Sequence, residues 1–166
     1  KTSQGHRLRD TPTPQERRQL LDSYYRPHHL QLTACVKNIL EHHKKALVVD
    51  CHSFPSKPQP YEENQNAKRP DICIGTDDFH TPQWISRFLV DAFESVGFSC
   101  EMNVPFSGAL VPLDYFRKET SVSSVMIEAN RGLYIEESSG RKGAKFMEVQ
   151  KAIRDVVSAL IKRFKS

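Results

Sequence analysis

Residues 46–54 read A-L-V-V-D-C-H-S-F, and this stretch decides which fold the sequence predicts. Its first six residues are mostly apolar or β-branched without strict polar alternation, which is typical of a strand covered on both faces. The run ends in polar residues, with Asp50 two positions before His52. Such an ending is typical either of a loop or helix cap, or of a metal site in which His52 is a ligand and Asp50 supports it.

Segments with helical and strand-like patterns alternate along the rest of the chain. Thr13, Pro14 and Glu16 fit the N-cap, the first helical position and the capping-box partner of a predicted helix. Pro27 is expected to interrupt or kink that helix. Further helices are predicted near residues 32–45, 81–97 and 146–164, and further strands at 71–76, 98–103 and 123–129. This alternation predicts an α/β layered fold with a mostly parallel central sheet flanked by helices, in one domain over residues 1–166.

Polar side chains follow four of the predicted strands. Because functional groups gather at the carboxyl ends of parallel strands, we expect these four clusters to converge on one site. They are Asp50 with His52 and Ser53, Thr76 with Asp77, Asn103 alone, and Glu128 with Asn130 and Arg131. The segment 55–70 is rich in Pro, Gln, Asn and charged residues, which predicts a long loop that would close over the site.

Composition and charge argue against several classes of function. The net charge is +4 and the basic residues form no run longer than a pair, so nucleic-acid binding is not expected. No apolar stretch approaches the roughly 20 residues of a membrane span, and the first ten residues lack the apolar segment of a secretory signal. The four cysteines are scattered singly, as in proteins of the reducing cytoplasm, where we expect this one. The first residue is Lys rather than Met, so we expect the chain to begin inside a longer protein.

Glu128 stands out among the single residues that could carry chemistry. It lies in V-M-I-E-A-N-R-G-L-Y, residues 125–134, where a carboxylate interrupts an apolar strand. Burying such a group is costly unless it is paired, so one interpretation is an internal salt bridge with Arg131 or another cation. The other is a general base with a raised pKa, which would take a proton from a metal-bound water. Arg131 would then be available to bind a substrate carboxylate.

Five motifs follow one another along the chain. They are Y-Y-R-P-H-H (24–29), V-V-D-C-H-S (48–53), R-P-D-I-C-I-G-T (69–76), N-V-P-F-S-G (103–108) and I-E-A-N-R-G-L-Y (127–134). Together they resemble the N-formylglutamate amidohydrolase family, which is similar in fold to zinc-dependent carboxypeptidases and aspartoacylases. The resemblance implies a zinc-dependent enzyme of histidine breakdown. Its small substrate would be an N-acylated acidic amino acid such as N-formyl-L-glutamate, and it would hydrolyse the amide bond.

The same resemblance implies roles for six residues. These are His52 as a ligand of one zinc ion, Asp50 and Ser53 as its supporting shell, Glu128 as the base that activates water, and Arg131 and Asn103 as substrate-binding residues. The family's early P-H-S-G-like segment, which is expected to supply further zinc ligands, and its D-x-N-R segment have no counterpart in this sequence. The chain would therefore correspond to the C-terminal portion of the family domain. The alternative is a non-catalytic or truncated relative that acts as a binding domain.

Overall fold

The structure, a computed structural model, describes residue 2 and residues 5–166. Its helices are α1 (Pro14–Leu20), a π-helical turn (Leu21–Tyr25), α2 (Arg26–His43), α3 (Gln83–Ser95), a 3₁₀ turn (Arg131–Leu133) and α4 (Phe146–Lys165). Its strands are β1 (Ala46–Phe54), β2 (Ile72–Gly75), β3 (Cys100–Met102), β4 (Val122–Asn130), β5 (Ile135–Glu136) and β6 (Arg141–Lys142). Among the described residues, no helix combines the length and the apolarity that a membrane span requires.

The central sheet has the strand order β1-β4-β2-β3, and β5 and β6 form a separate two-stranded sheet. In the central sheet β1 is parallel to β4 and β2 is parallel to β3, whereas β2 runs antiparallel to β4. Helices flank this sheet, so the prediction of an α/β fold with a mostly parallel central sheet is confirmed.

Alternation along the strands gives the central sheet two different faces. One face carries Ala46 and Val122, which pack with Val36 of α2. The other face carries Ile72 and Val125, which pack with buried residues of α3 and α4 in the main hydrophobic core. We call these the site face and the core face.

The N-terminal helix begins as the sequence predicts, and it changes type beside Pro27, where an interruption or a kink was expected. Thr13 and Glu16 form a complete capping box, in which Thr13 Oγ1 accepts from the Glu16 N–H at 3.2 Å. The helical path does not stop at Pro27, which lies at the second position of α2, but the type of helix changes just before it. A π-helical turn precedes it, in which the Arg26 N–H donates to the Leu21 carbonyl five residues back. This local change of pitch accommodates a proline, which has no amide N–H to donate.

Strand β1 is longer and more exposed than the sequence predicts. It does not end at Cys51 but continues to Phe54, so His52 lies within the strand. The expectation of a strand covered on both faces is wrong for Cys51, which is exposed, and the added residues His52 and Ser53 are exposed as well. The reason is that β1 is the outermost strand of the sheet in the described part of the chain.

A loop from residue 103 to residue 112 crosses the site face beside β2. Cys73 Sγ donates a hydrogen bond to the carbonyl oxygen of Phe106 at 3.1 Å. Gly75 permits this close approach, since a Cβ at that position would lie 2.4 Å from the carbonyl oxygen of Gly108. The loop therefore closes the β2 side of the site face.

Candidate active site

The pairing of β1 with β4 brings His52 beside Glu128. The two residues are direct partners in the parallel register, so their side chains leave the sheet on the same face. Asp50 also lies on that face, with its Oδ1 atom 2.9 Å from His52 Nε2. The His52 side chain is 52% exposed. An imidazole flanked by two carboxylates is therefore open to solvent and to a ligand.

Glu128 is buried within β4, with 8% of its surface exposed. Its Oε2 atom has no hydrogen-bond partner in the structure as described. Burial raises the pKa of the Glu128 carboxyl, and the carboxylates of Asp50 and Glu62 raise it further. His52 and Arg131 act on this pKa in the opposite direction. A carboxylate with a raised pKa and a free oxygen is a stronger base than an ordinary glutamate, as a general base requires.

The internal salt bridge between Arg131 and Glu128 is not formed. Within the described residues the ion pairs closer than 4.0 Å do not include Arg131. Its Nε atom is buried and has no hydrogen-bond partner there. Arg131 opens the 3₁₀ turn after β4, and Asn130 Oδ1 caps this turn by accepting from the Gly132 N–H at 3.1 Å. The turn thus fixes the backbone of Arg131 while its guanidinium keeps capacity for a ligand.

Arg131 also lines a cavity of about 570 Å³ at the carboxyl ends of β1 and β4. The other lining residues are Pro55, Ser56, Lys57, Gln59, Tyr61 and Glu137. The Glu137 carboxylate is already engaged, since it accepts hydrogen bonds from the Ser56 hydroxyl and, at 3.0 Å, from the Ser56 N–H. The positively charged side chains of Arg131 and Lys57 therefore remain available in the cavity, which suits an anionic ligand.

The four polar clusters expected at one edge of the sheet do not all meet there. Because β2 is antiparallel to β4, the carboxyl ends of β2 and β3 point away from the end where β1 and β4 finish. The predicted convergence of Thr76 and Asn103 with His52 and Glu128 is therefore wrong. Asn103 instead bonds Thr76, accepting from its N–H at 2.9 Å and donating to its Oγ1 at 2.8 Å. Substrate binding by Asn103 stays a prediction.

Ser53 lies on the core face rather than on the site face. Its register partner is Ala129, which belongs to the main hydrophobic core. Adjacent residues of a strand point to opposite faces, so the Ser53 side chain leaves the sheet away from the His52 imidazole. Support of His52 by Ser53 therefore stays a prediction that this placement does not favour, whereas Asp50 contacts the imidazole directly.

Three residues near Glu128 were not singled out from the sequence. Cys73 is the register partner of Glu128 on β2, and burial raises the pKa of its thiol. Glu62 and Arg69 form an ion pair in which each side chain is 2% exposed. Arg69 and Cys73 both lie in the motif R-P-D-I-C-I-G-T, and that was the only available signal for them. Glu62 lies in the polar segment 55–70 and has no comparable signal.

The metal-binding capacity of these residues is smaller than a complete zinc site requires. No group of three or more His, Cys, Asp or Glu side chains in the described part of the chain is placed to hold a metal ion. His52 Nε2 is engaged with Asp50, which leaves Nδ1 as the nitrogen available to a ligand. Imidazole and carboxylate groups are ligands that zinc prefers, but these residues provide too few of them for a zinc site. The described residues therefore do not complete a zinc site.

Comparison with known proteins points to one family. The sequence profile described as N-formylglutamate amidohydrolase matches residues 1–135. The chain is 27% identical over 130 residues to an N-formylglutamate deformylase of Pseudomonas putida, covering 76% of this chain and 47% of that protein.

Two crystal structures share the fold. An N-formylglutamate amidohydrolase from Ralstonia eutropha superposes with a TM-score of 0.74 at 20% identity, covering 91% of this chain and 55% of that one. A gene product of Agrobacterium tumefaciens superposes with a TM-score of 0.60 at 18% identity, covering 90% of this chain and 56% of that one. This chain thus spans about half the length of each of these relatives.

Proposed function

This chain belongs to the N-formylglutamate amidohydrolase family, and from that premise we propose that it hydrolyses the amide bond of an N-acylated acidic amino acid such as N-formylglutamate. One observation carries the proposal. The buried Glu128 carboxylate has an oxygen without a partner and lies beside the His52–Asp50 pair. A cavity lined by the cationic side chains of Arg131 and Lys57 lies at the carboxyl ends of β1 and β4, the strands that carry these residues, and the carboxylates of an acidic substrate would bind there.

Glu128 is the general base of the proposed reaction. Its carboxylate takes a proton from the attacking water and then delivers it to the nitrogen of the leaving amine. Burial raises the pKa of Glu128, which makes its carboxylate a stronger base and favours the first of these transfers. His52 is held by Asp50 at the rim of the same site.

Zinc is part of this proposal at one position only. His52 is proposed as one ligand of a single zinc ion, through its Nδ1 atom. The described residues do not complete the coordination sphere, so no catalytic step above runs through a metal. We expect titration calorimetry with zinc to detect a weak site in the native chain and none in the His52→Ala variant. The His43→Ala variant should match the native chain, and identical zinc binding in both variants would remove His52 from this role.

Substrate selectivity tests the proposed function directly. N-formyl-L-glutamate and N-formyl-L-glutamine differ by one side-chain charge, which Arg131 is proposed to bind. The Arg131→Met variant should raise KM for the acidic substrate by about 10- to 100-fold, the worth of a hydrogen bond to a charged group. KM for the neutral substrate should change much less. Arg141, an exposed residue paired with Glu136, provides the matched control Arg141→Met. Equal KM changes for the two substrates would contradict the assignment.

A second function is favoured by the incomplete metal site. The same cavity would serve a non-catalytic binding domain, which holds an acyl-amino acid without cleaving it. Calorimetry and product analysis separate the two proposals. Binding of N-formylglutamate that is abolished in Arg131→Met, with no formate released on long incubation in the presence of zinc, would favour the binding domain.

A further inference from the structure

The Glu137 carboxylate holds the beginning of the segment 55–70 against the chain that follows β4. Its Oε1 and Oε2 atoms accept from the Ser56 N–H at 3.0 and 3.2 Å, and Oε2 also accepts from the Ser56 hydroxyl. Ser56 follows β1 by two residues, whereas Glu137 lies in the turn between β5 and β6. These hydrogen bonds join residues that are 81 positions apart in the sequence. We call this contact the Ser56–Glu137 latch.

The same serine packs closely against the 3₁₀ turn that carries Arg131. A Cβ atom at Gly132 would lie 2.9 Å from the Ser56 Cβ atom, which is too close for two carbon atoms that are not bonded. The lack of a side chain at position 132 therefore allows Ser56 to lie against the turn. Ser56 thus contacts the chain after β4 in two independent ways, by hydrogen bonds to Glu137 and by packing on Gly132.

These two contacts involve the direct neighbours of the two cations that line the cavity. Lys57 follows Ser56 in the sequence. Arg131 likewise precedes Gly132, and it lines the same cavity of about 570 Å³ as Lys57. Both cations lie beyond the last residue pair of β1 and β4, so strand pairing does not hold them together. The contacts of Ser56 do, and binding groups on loops need such supporting contacts to keep their geometry.

The hydrogen bonds from Ser56 also restrain the negative charge of Glu137. Glu137 lines the same cavity as Lys57 and Arg131. Nevertheless, the ion pairs closer than 4.0 Å within the described residues do not join it to either cation. A Glu137 carboxylate released from Ser56 would be free to pair with a cation, and it would then compete with an acidic ligand. The latch therefore keeps both cations available.

We propose that Ser56 and Glu137 are positioning residues for the side-chain carboxylate of the substrate. The latch keeps the backbones of Lys57 and Arg131 at a fixed separation and holds the Glu137 carboxylate away from both cations. Through the two cations, it determines how strongly the cavity prefers an acidic ligand to a neutral one. This inference rests on the proposed function, because it concerns the ligand of the same cavity.

Two substitutions that leave every charge in place test the latch. Ser56→Ala removes the hydroxyl donor, and Gly132→Ala places a methyl group against Ser56 Cβ and so displaces this residue. Each variant should raise KM for N-formyl-L-glutamate by about three- to tenfold, the worth of one hydrogen bond. KM for N-formyl-L-glutamine should change much less, whereas a general loss of structure would affect both substrates alike. Equal changes for the two substrates would overturn the proposal.

Ser139→Ala is the matched control for Ser56→Ala. The Ser139 hydroxyl donates to Glu136 Oε2 at 2.7 Å, so this substitution removes the same kind of hydrogen bond from the neighbouring turn. Ser139 does not line the cavity, and KM should stay unchanged for both substrates. Circular dichroism of each variant checks that the fold is kept. A shift in selectivity as large in Ser139→Ala as in Ser56→Ala would show that the latch has no special role.

A double variant separates the restraint of a charge from simple packing. In Ser56→Ala the Glu137 carboxylate loses a donor and is freer to pair with the cations of the cavity. Ser56→Ala/Glu137→Gln removes this competing charge, so its KM for N-formyl-L-glutamate should be about two- to fivefold lower than that of Ser56→Ala. If the latch only packed the chain, the second substitution would add to the damage. A further rise in KM would therefore contradict the proposal.

Glutarate serves as a probe that does not need turnover. It carries two carboxylates and no amide bond, and titration calorimetry measures its Kd for the full chain. The Kd should rise by about three- to tenfold in Ser56→Ala and Gly132→Ala and stay unchanged in Ser139→Ala. This result without release of formate from N-formylglutamate would contradict the proposed hydrolysis and still support the latch. Hydrolysis by the native chain with the same Kd for glutarate in all variants would overturn the latch alone.

Discussion

Replacing Glu128 with Gln is expected to lower the rate of hydrolysis of N-formylglutamate by about two to four orders of magnitude, the usual contribution of a general base. Gln keeps the size of the side chain and its place in β4 but cannot accept a proton from water. The measurement is kcat for native and variant chains under the same metal loading. Turnover close to the native rate would remove Glu128 from the role of base.

The same variant has an expected effect on stability that does not depend on activity. Burial raises the pKa of Glu128 in the folded chain, so ionising it costs the folded state more than the unfolded state. The stability that the protonated group provides is fully present below about pH 4, the range of an ordinary Glu, and is lost as pH rises through the folded pKa. Glu128→Gln should thus be more stable than the native chain at pH 7.5, and this difference should vanish at low pH. Urea unfolding at both pH values measures it, and a variant less stable at pH 7.5 would contradict the burial argument.

Breaking the buried ion pair between Glu62 and Arg69 is expected to destabilise the fold by about 3–5 kcal/mol, because the remaining charge would be buried without a partner. The two side chains are each 2% exposed. Arg69 also donates to the Pro55 carbonyl at 3.1 Å, so it joins the start of the segment 55–70 to its end. Glu62→Gln measured by urea unfolding tests this expectation.

Two controls show whether the loss comes from an uncompensated charge. The double variant Glu62→Gln/Arg69→Met removes both charges and should recover much of the lost stability. Asp155→Asn breaks an exposed pair with Lys151 and should have little effect. If Glu62→Gln behaves like Asp155→Asn, this pair does not hold the loop in place.

The sequence predicts the elements of this fold better than their arrangement. Capping by Thr13 and Glu16 and the apolar periodicity of α3 and α4 are local patterns, and the structure confirms them. The antiparallel direction of β2 is not a local property, because the apolar pattern of this strand would be the same whether it paired parallel or antiparallel to β4. That one reversal separates Asn103 from His52, which is why the predicted convergence of strand ends failed.

The candidate site shows the same division between local and long-range information. Glu128 was recognisable because a carboxylate inside an apolar strand has a cost that must be offset. Its neighbours Cys73 and Glu62 were not recognisable from the sequence. The approach of Cys73 to Glu128 depends on the strand order, and that of Glu62 depends on a buried ion pair with a residue seven positions away. Arg131 was assigned two alternative roles, and the geometry disfavours the internal salt bridge.

The parallel register of β1 and β4 has a consequence for how this protein can vary. Main-chain pairing of β1 with β4 over nine consecutive residue pairs sets the positions of His52 and Glu128. Contacts between the two side chains do not set them. Deleting or inserting a single residue ahead of either position within its strand would turn that side chain to the opposite face. Side-chain replacements can therefore accumulate in this pair of strands while the site survives, whereas a change of length by one residue would dismantle it.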